Sequence, residues 1–256
     1  MTGIMQRMGK TPALPCRLLL AAAFLLAFAP AQAIATDSLV YFGTLANGAG
    51  KGLSVAHFDT DTGVLTKPVL AIQADSPSAI VISADGKHLY STNHTPGNVS
   101  AFEIQAKTGA LNVLNSVPAG AGASYVSLDQ TGHYLLDANG NGGSVAVFAL
   151  KSDGSLGERT GFDQHTGHGP NPSRQATPYA HCIIADPTNR FLLSADLGTD
   201  KVYVYKFDAA NGTITPNEPP RVSVTPGFGA RHLAFHPNGK IVYLLNEMGS
   251  ALVAFQ

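Results

Sequence analysis

Several residue types that mark particular classes of protein are scarce in this 256-residue chain. Tryptophan is absent, cysteine occurs twice, and charged residues make up 13% of the sequence. Two cysteines, Cys16 and Cys182, cannot build the disulfide framework of a small secreted domain. Basic residues form no run or cluster, so the composition argues against a nucleic-acid partner.

Common catalytic signatures are missing as well. The sequence contains no G-x-S-x-G elbow, no H-E-x-x-H zinc motif and no dinucleotide-binding glycine fingerprint. Serine-triad hydrolysis and nicotinamide chemistry are therefore disfavoured. Cys182 directly follows His181 on a predicted strand, so its side chain should point to the opposite face, where packing is more plausible than a nucleophilic role.

The N-terminus is typical of a secretory signal peptide over residues 1–33. Three basic residues accompany the apolar run 18–29, and Ala31-Gln32-Ala33 forms an A-x-A cleavage site before Ile34. The run is too short for an ordinary membrane span, so no stable membrane insertion is expected after cleavage. Residues 34–256 would form one periplasmic or secreted domain, with 13 basic residues against 17 acidic ones.

A constant interval organises this domain. Four times, a turn residue is followed sixteen positions later by an aromatic residue that closes an apolar alternation: Gly86 to Phe102, Gly132 to Phe148, Asn189 to Tyr205, and Gly239 to Phe255. Each copy contains two turns and β-rich runs, which predicts four short antiparallel strands, a to d. A period near 50 residues with four strands per unit is typical of β-propeller blades.

The predicted fold is therefore an all-β propeller of four-stranded antiparallel blades. The strand inventory is bcd, three abcd units and abc, which corresponds to about five blades. In a closed propeller the first and last strands complete a shared blade and hide the sheet edges. Five blades, two of them incomplete, could close a ring, but we favour an incomplete propeller that lacks further blades.

Aligning the repeats compares equivalent positions at one rim of the propeller. Eight residues before each turn stand Ser78, Ser124, His181 and Arg231, and the corresponding position after the last turn holds Glu247. Strands a and b are antiparallel, so positions equally far from the turn meet at the same end of the hairpin. We therefore expect His181, Arg231 and Glu247 to face one mouth of the central channel.

Other polar positions have both a structural and a functional interpretation. Asn139 and Asp196 end strand b in successive repeats, where such residues often satisfy backbone groups. Asp196 could instead orient the imidazole of His181. His165 and His168 could bind a metal together with His181, but their spacing does not require it, and we predict no metal site.

Three segments resemble the lactonase family of seven-bladed propellers, which includes 6-phosphogluconolactonases and carboxy-cis,cis-muconate cyclases. They are "GFGARHLAFHPNGKIVYLLNE" at 227–247, "RQATPYAHCIIADPTNRFLLSADLGTDKVYVY" at 174–205, and "ANGNGGSVAVF" at 138–148. The resemblance covers essentially all of residues 34–256. It implies seven blades, so that this chain would lack about two.

The resemblance also implies an active site. His181, Arg231 and Glu247 match three family positions, whereas a second family arginine would lie beyond Gln256. The family often has histidine at the position of Tyr179 and tyrosine at that of Gly140. The first departure removes a possible second imidazole, and the second is expected to open the mouth of the channel.

The expected function is therefore an exported, 6-phosphogluconolactonase-like lactone hydrolase that requires no cofactor. His181, Arg231 and Glu247 are the predicted catalytic residues, and Asp196, His232 and Asn139 are the predicted substrate-binding residues. The partner would be a small lactone, with an unphosphorylated sugar lactone favoured outside the cytoplasm. His181 is the natural general base, although Glu247 could serve as the base with His181 as the acid. Muconate cycloisomerisation and a non-enzymatic binding or scaffold propeller remain alternatives.

Overall fold

A computed structural model describes residues 37–44, 51–95 and 97–256, and the signal peptide expected at 1–33 lies outside this part of the chain. The described residues contain strands and no helix, and thus no helix of a length and hydropathy that could cross a membrane. The strands form five antiparallel sheets, which are the blades of a propeller. The predicted all-β propeller fold is thereby confirmed.

The blades are numbered along the chain, and each is described from its first strand to its last. Their strands are, in blade 1, β1 Asp37–Gly43, β2 Leu53–Asp59 and β3 Val69–Ile72; in blade 2, β4 Ile80–Ile82, β5 His88–Asn93, β6 Asn98–Ile104 and β7 Leu111–Pro118; in blade 3, β8 Ala123–Leu128, β9 Tyr134–Asn139, β10 Ser144–Leu150 and β11 Leu156–Gln164; in blade 4, β12 Ala180–Ala185, β13 Phe191–Asp196, β14 Lys201–Asp208 and β15 Thr213–Ser223; in blade 5, β16 Ala230–Phe235, β17 Val242–Asn246 and β18 Ala251–Phe255. The described strands therefore follow the predicted inventory of three, four, four, four and three.

The sixteen-residue interval has a structural cause in strand register. In blades 2 to 5 the aromatic residue of strand c pairs with the residue three positions after the turn: Phe102 with Leu89, Phe148 with Leu135, Tyr205 with Leu192 and Phe255 with Val242. The turn residues themselves have positive φ angles, from 58° at Asn189 to 71° at Gly132. Glycine and asparagine adopt this conformation most readily, which accounts for the residue types found there.

Apolar side chains between successive blades form the core. Phe148 and Leu135 of blade 3 pack with Tyr90 of blade 2, and Tyr205 of blade 4 packs with Leu136 of blade 3. Burying an aromatic side chain of this size stabilises the fold by about 2–3 kcal/mol. Each sheet is thus held against its neighbour by side chains, while the strand ends remain free to form a rim.

Cys182 belongs to the cluster between blades 4 and 5. Its side chain is fully buried with Ala195, Ala230, Leu233 and Leu244. Burial raises the pKa of its thiol to about 11, so the reactive thiolate is disfavoured at neutral pH. The predicted packing role of Cys182 is confirmed.

Candidate active site

Three equivalent β-bulges shape the rim of the channel. In blade 4, Ala180 pairs with Asp196 and Cys182 with Ala195, so that His181 is the extra residue. The same shift makes Ser124 the extra residue of β8 and Arg231 that of β16. A bulge bends its strand and redirects the unpaired side chain. The bulged residues are therefore the same positions that the repeat alignment identified, eight residues before each turn.

The bulged residues meet in one cavity of about 490 Å³ at the start of the inner strands. Blades 2 to 5 all contribute to its wall. The lining residues are Ser78, Ala79, Ile80, His94, Ser124, Tyr125, Val126, Tyr179, His181, Arg231 and His232. This cavity is the predicted mouth of the channel, and it brings His181, Arg231 and His232 together.

Glu247 lies beside this cavity between two arginines. Arg231 Nε donates to Glu247 Oε2 at 2.9 Å, and Arg174 Nη2 donates to Oε1 at 2.5 Å. Burial is the largest influence and acts to raise the pKa of Glu247, but the hydrogen bond and charge of Arg174 and the charge of Arg231 hold it below its usual value. Glu247 is therefore an anion that holds both guanidinium groups.

His181 is mostly buried next to the Arg231–Glu247 pair. Its side chain is 14% exposed, and its Nε2 lies 4.0 Å from Glu247 Oε2. Burial, followed by the charge of Arg231, lowers the pKa of His181 to about 4. The imidazole is thus neutral at physiological pH, which is the form that can accept a proton.

His232 contacts the ring of His181. The two imidazoles meet edge to face with centroids 5.1 Å apart, and Tyr125 lies 5.5 Å from His232. Burial, followed by the charge of Arg231, lowers the pKa of His232. A cavity with two neutral imidazoles and one guanidinium can both accept a proton and stabilise negative charge.

The structure places Asp196 differently from the expectation. Its side chain is fully buried, and its Oδ2 lies 2.7 Å from His165 Nδ1. Its Oδ1 accepts hydrogen bonds from the backbone NH groups of Tyr179 and Thr199. The expectation that Asp196 orients His181 and contacts substrate is wrong, because the last residue of strand b points between the sheets and not towards the cavity.

Asn139 requires the same correction. It is fully buried, and its Nδ2 donates to Asp137 Oδ2 at 2.7 Å. A side chain added at Gly120 would collide with the Asn139 amide, which shows how closely this amide is enclosed. Asn139 therefore cannot contact a ligand in the cavity. The bulge separates the strand a residue, which faces the cavity, from its strand b neighbour, which does not.

The long connection at 165–179, between β11 and β12, carries Arg174, which the sequence interpretation did not place in the site, and Tyr179, which it treated only as a departure from the family's histidine. His165 anchors its start, since Nε2 lies 2.9 Å from Tyr205 Oη and Nδ1 contacts Asp196. Gln175 anchors its end by donating to the Leu197 carbonyl at 2.8 Å. For Arg174 the sequence signal was the extra length of this repeat.

The same connection contains His165 and His168, which were considered as metal ligands together with His181. His165 is engaged by Asp196 and Tyr205, whereas His168 is exposed and contacts the Gly169 carbonyl. Within residues 37–44, 51–95 and 97–256, no group of three or more His, Cys, Asp or Glu side chains is arranged to hold a metal ion. His165 and His168 thus have separate roles from His181.

Known proteins share this architecture and sequence. The chain is 33% identical over 224 residues to the 6-phosphogluconolactonase of Bacillus subtilis, an alignment that covers 86% of this chain and 63% of the relative. The solved structure of a candidate 6-phosphogluconolactonase from Bacteroides fragilis matches with a TM-score of 0.81 and 34% identity, covering 87% of this chain and 64% of the other. The periplasmic gluconolactonase of Pseudomonas aeruginosa matches with a TM-score of 0.75 and 27% identity, covering 86% and 67%.

The chain thus spans somewhat less than two thirds of the length of the first two of these relatives. A family model described as "Lactonase, 7-bladed beta-propeller" matches residues 39–256, which is nearly the whole of the strand-forming region. The chain belongs to the lactonase family of seven-bladed β-propellers.

Proposed function

We propose that this protein is an exported lactone hydrolase that opens a sugar lactone in the cavity at 181 and 231. One observation carries the proposal: a neutral imidazole, His181, and a guanidinium held by a carboxylate, Arg231, line the same cavity. Lactone hydrolysis needs a base for the attacking water and a donor for the oxyanion that develops at the carbonyl. These two side chains can supply both.

In the proposed reaction, His181 removes a proton from a water molecule as the water oxygen attacks the lactone carbonyl carbon. Arg231 donates hydrogen bonds to the oxyanion of the tetrahedral intermediate. The intermediate then expels the ring oxygen, which takes the proton back from the His181 imidazolium, and the product is a hydroxy acid. General base catalysis contributes about 10² to 10⁴ in rate and one oxyanion donor about 10² to 10³.

Glu247 is assigned a positioning role in this scheme. Both of its oxygens already accept hydrogen bonds from arginines, and those arginines hold its pKa below the usual value. A carboxylate whose two oxygens are both engaged by guanidinium groups is poorly placed to take a proton from water, and a His181 imidazole that is neutral at physiological pH is a poor acid. Both points argue against the alternative with Glu247 as the base and His181 as the acid. Its contribution is to fix the guanidinium of Arg231 relative to the cavity.

Arg174 adds a second positive charge at this rim. Its side chain is 52% exposed and keeps only one described contact to a carboxylate, with Glu247. Two arginines and one glutamate leave a net positive charge, which favours the developing oxyanion and the carboxylate of the product. Arg174 thus supplies a second guanidinium group next to the carboxylate that holds Arg231.

The cavity favours an unphosphorylated substrate. Among the described residues that line the cavity, Arg231 is the one permanent cation, and the wall also carries the hydroxyls of Ser78 and Ser124 and the ring of His94. If Arg231 holds the carbonyl oxygen, the described lining offers no second cation for a phosphate, since Arg174 lies outside this lining and is paired with Glu247. Hydroxyl-bearing side chains, in contrast, suit sugar hydroxyl groups. The P. aeruginosa relative, named a periplasmic gluconolactonase, agrees with this choice.

Export is part of the proposal and rests on residues 1–33. Cleavage before Ile34 would deliver the protein to the periplasm or the medium, where phosphorylated sugars are scarce. N-terminal sequencing of protein recovered from that compartment should find Ile34 as the first residue. Recovery of an intact N-terminus from the cytoplasm would contradict export without affecting the proposed chemistry.

The central experiment measures hydrolysis of glucono-δ-lactone above the spontaneous rate with the full chain. We expect His181→Ala and Arg231→Met each to lower kcat/KM by about a hundredfold or more. Matched controls are His133→Ala and Arg221→Met, which change exposed residues of the same types outside the cavity.

Equal turnover by the cavity variants and their controls would refute the assigned site. Turnover of a muconate in place of the lactone would favour the cycloisomerase alternative. Binding of the lactone without turnover by the wild type would favour a binding propeller.

A further inference from the structure

Gly140 lies at the rim where a side chain cannot fit. Its φ angle is not in the left-handed region, so the backbone conformation does not demand glycine. A Cβ atom built on it would overlap the ring of Tyr179 and would lie 2.7 Å from Ser124 Oγ. The Tyr179 ring therefore packs directly on the backbone of Gly140. The expectation that Gly140 opens the mouth is wrong, since an aromatic ring fills the space.

The backbone of Tyr179 is held by buried groups. Its NH donates to Asp196 Oδ1 at 3.0 Å, and its carbonyl accepts from the Leu197 NH at 2.9 Å. Asp196 is fixed in turn by His165 on its other oxygen. The residue that was expected to orient His181 thus positions Tyr179, which reaches the rim from the end of the long connection.

The phenol ring of Tyr179 lines the cavity beside the proposed base. Its centroid lies 5.6 Å from that of the His181 ring. Among residues 37–44, 51–95 and 97–256, no group hydrogen-bonds its hydroxyl, and the hydroxyl oxygen is not one of the enclosed polar atoms that lack a partner, so it is accessible from the cavity. A donor and acceptor is therefore available at the wall for a ligand.

We propose that Tyr179 is a substrate-binding and specificity-determining residue, whose hydroxyl hydrogen-bonds a ring hydroxyl of a polyhydroxylated lactone. The inference rests on the proposed function and deepens it by assigning the residue that recognises the hydroxyl groups of the substrate. Sites that hydrogen-bond a substrate hydroxyl discriminate against analogues that lack it, because a polar group of the site is then left unpaired. Tyr179 thus selects hydroxylated lactones over unsubstituted ones.

The test compares two lactones, glucono-δ-lactone and unsubstituted δ-valerolactone, in the wild type and in Tyr179→Phe. The phenylalanine ring keeps the packing on Gly140 and removes only the hydroxyl. We expect KM for glucono-δ-lactone to rise about 3- to 10-fold with kcat nearly unchanged, as for the loss of one neutral hydrogen bond. Both constants for δ-valerolactone should stay as in the wild type.

Tyr243→Phe is the matched control, since Tyr243 lies on β17 and does not line the cavity. Gly140→Ala is a second variant: the added methyl must displace the ring, so it should impair binding of glucono-δ-lactone at least as much as Tyr179→Phe. An equal loss for both lactones in Tyr179→Phe, or a loss confined to kcat, would overturn the inference.

Calorimetry separates this inference from the proposed function. The probe is gluconolactam, in which the ring oxygen is replaced by NH so that hydrolysis does not interfere. Weaker binding of the lactam by Tyr179→Phe than by the wild type would support the role of Tyr179 even if no lactone were hydrolysed. Equal binding by both proteins, or binding by neither, would overturn it.

Discussion

Blades 3 and 5 have the same backbone irregularity at the channel and carry different side chains on it. In blade 3 the bulged residue is Ser124, whose hydroxyl donates to the Gly122 carbonyl of its own strand connection. In blade 5 it is Arg231, whose guanidinium reaches Glu247 across the hairpin. The bulge supplies a side-chain position at the cavity in both cases. The chemistry of that position depends on the residue that occupies it.

Blade 4 lies between these two and shows what burial adds. His181 stands on the same kind of bulge, but its ring is enclosed by neighbouring blades and faces the charge of Arg231. A polar residue on a shared scaffold has acquired a lowered pKa from its neighbours. The rim therefore divides into a neutral half, formed by blades 2 and 3, and a charged half, formed by blades 4 and 5.

The largest effect is expected from making blade 5 resemble blade 3. Arg231→Ser removes the oxyanion donor, so kcat/KM for glucono-δ-lactone should fall about 10² to 10³. Ser124→Ala, at the equivalent bulge, should change it by less than about threefold, since this hydroxyl is already engaged by Gly122. Steady-state kinetics on both variants tests the division. Similar losses in both would contradict it.

A smaller effect is expected from Glu247→Gln, which removes the charge that holds both arginines. We expect kcat/KM to fall about tenfold, ~1.4 kcal/mol in transition-state stabilisation, because Arg231 loses its fixed orientation. Arg174→Met leaves the Arg231–Glu247 contact in place, so its loss should be smaller. A larger loss in Arg174→Met would show that Arg174, and not Arg231, is the principal anion-binding group.

The pH dependence of the charged half follows from His181. Its pKa of about 4 lies below the ordinary value of 6.5, so the neutral base persists as pH falls and is lost only near pH 4. The acid limb of kcat/KM should therefore lie near pH 4. NMR titration should show a rise in the His181 pKa in Arg231→Met, because the charge of Arg231 is one cause of the lowering. An acid limb near 6.5, together with an NMR titration that gives wild-type His181 a pKa near 4, would mean that His181 is not the base.

The smallest effect on activity, with a clear effect on stability, is expected at Asp137. It stands in blade 3 where blades 2 and 4 have Ser91 and Ser194, and all three side chains are buried. Burial raises the pKa of Asp137 to about 8, while the bond from Asn139 acts in the opposite direction. The folded protein therefore binds this proton more tightly than the unfolded chain does.

It follows that the stability contributed by protonated Asp137 is present below pH 4 and is lost as pH rises towards 8. The slope from this group is at most about 1.4 kcal/mol per pH unit. Asp137→Asn should lack that slope and be more stable than the wild type at pH 8, with unchanged kcat/KM. Denaturant unfolding at pH 5, 6.5 and 8 measures the difference between the two proteins. Parallel pH profiles would show that Asp137 is not protonated in the fold.

The blades and their order could be predicted because their cause is local. The interval of sixteen residues records a left-handed turn residue and a fixed pairing, such as Leu135 with Phe148, within one hairpin. The same pairing places His181, Arg231 and Glu247 at the same end of their hairpins, on one rim. Hairpin register depends on residues close in sequence, so one sequence is sufficient to predict it.

Asp196, Arg174 and Tyr179 could not be placed in this way. The direction of the Asp196 side chain depends on the bulge at His181 and on His165, which arrives from the preceding connection. Arg174 reaches Glu247 over a separation of 73 residues. The space at Gly140 looked empty in the sequence, because the ring that fills it belongs to another blade's connection.

The sequence by itself determined a repeated β-hairpin register and, through it, which residues share a rim. Only the tertiary structure decided which of them face the cavity, which are buried and what charge surrounds each one. The physical reason is the range of the forces involved. Turn conformation and strand pairing are set within one blade, whereas burial, bulge direction and the pKa of His181 arise where separate blades pack together.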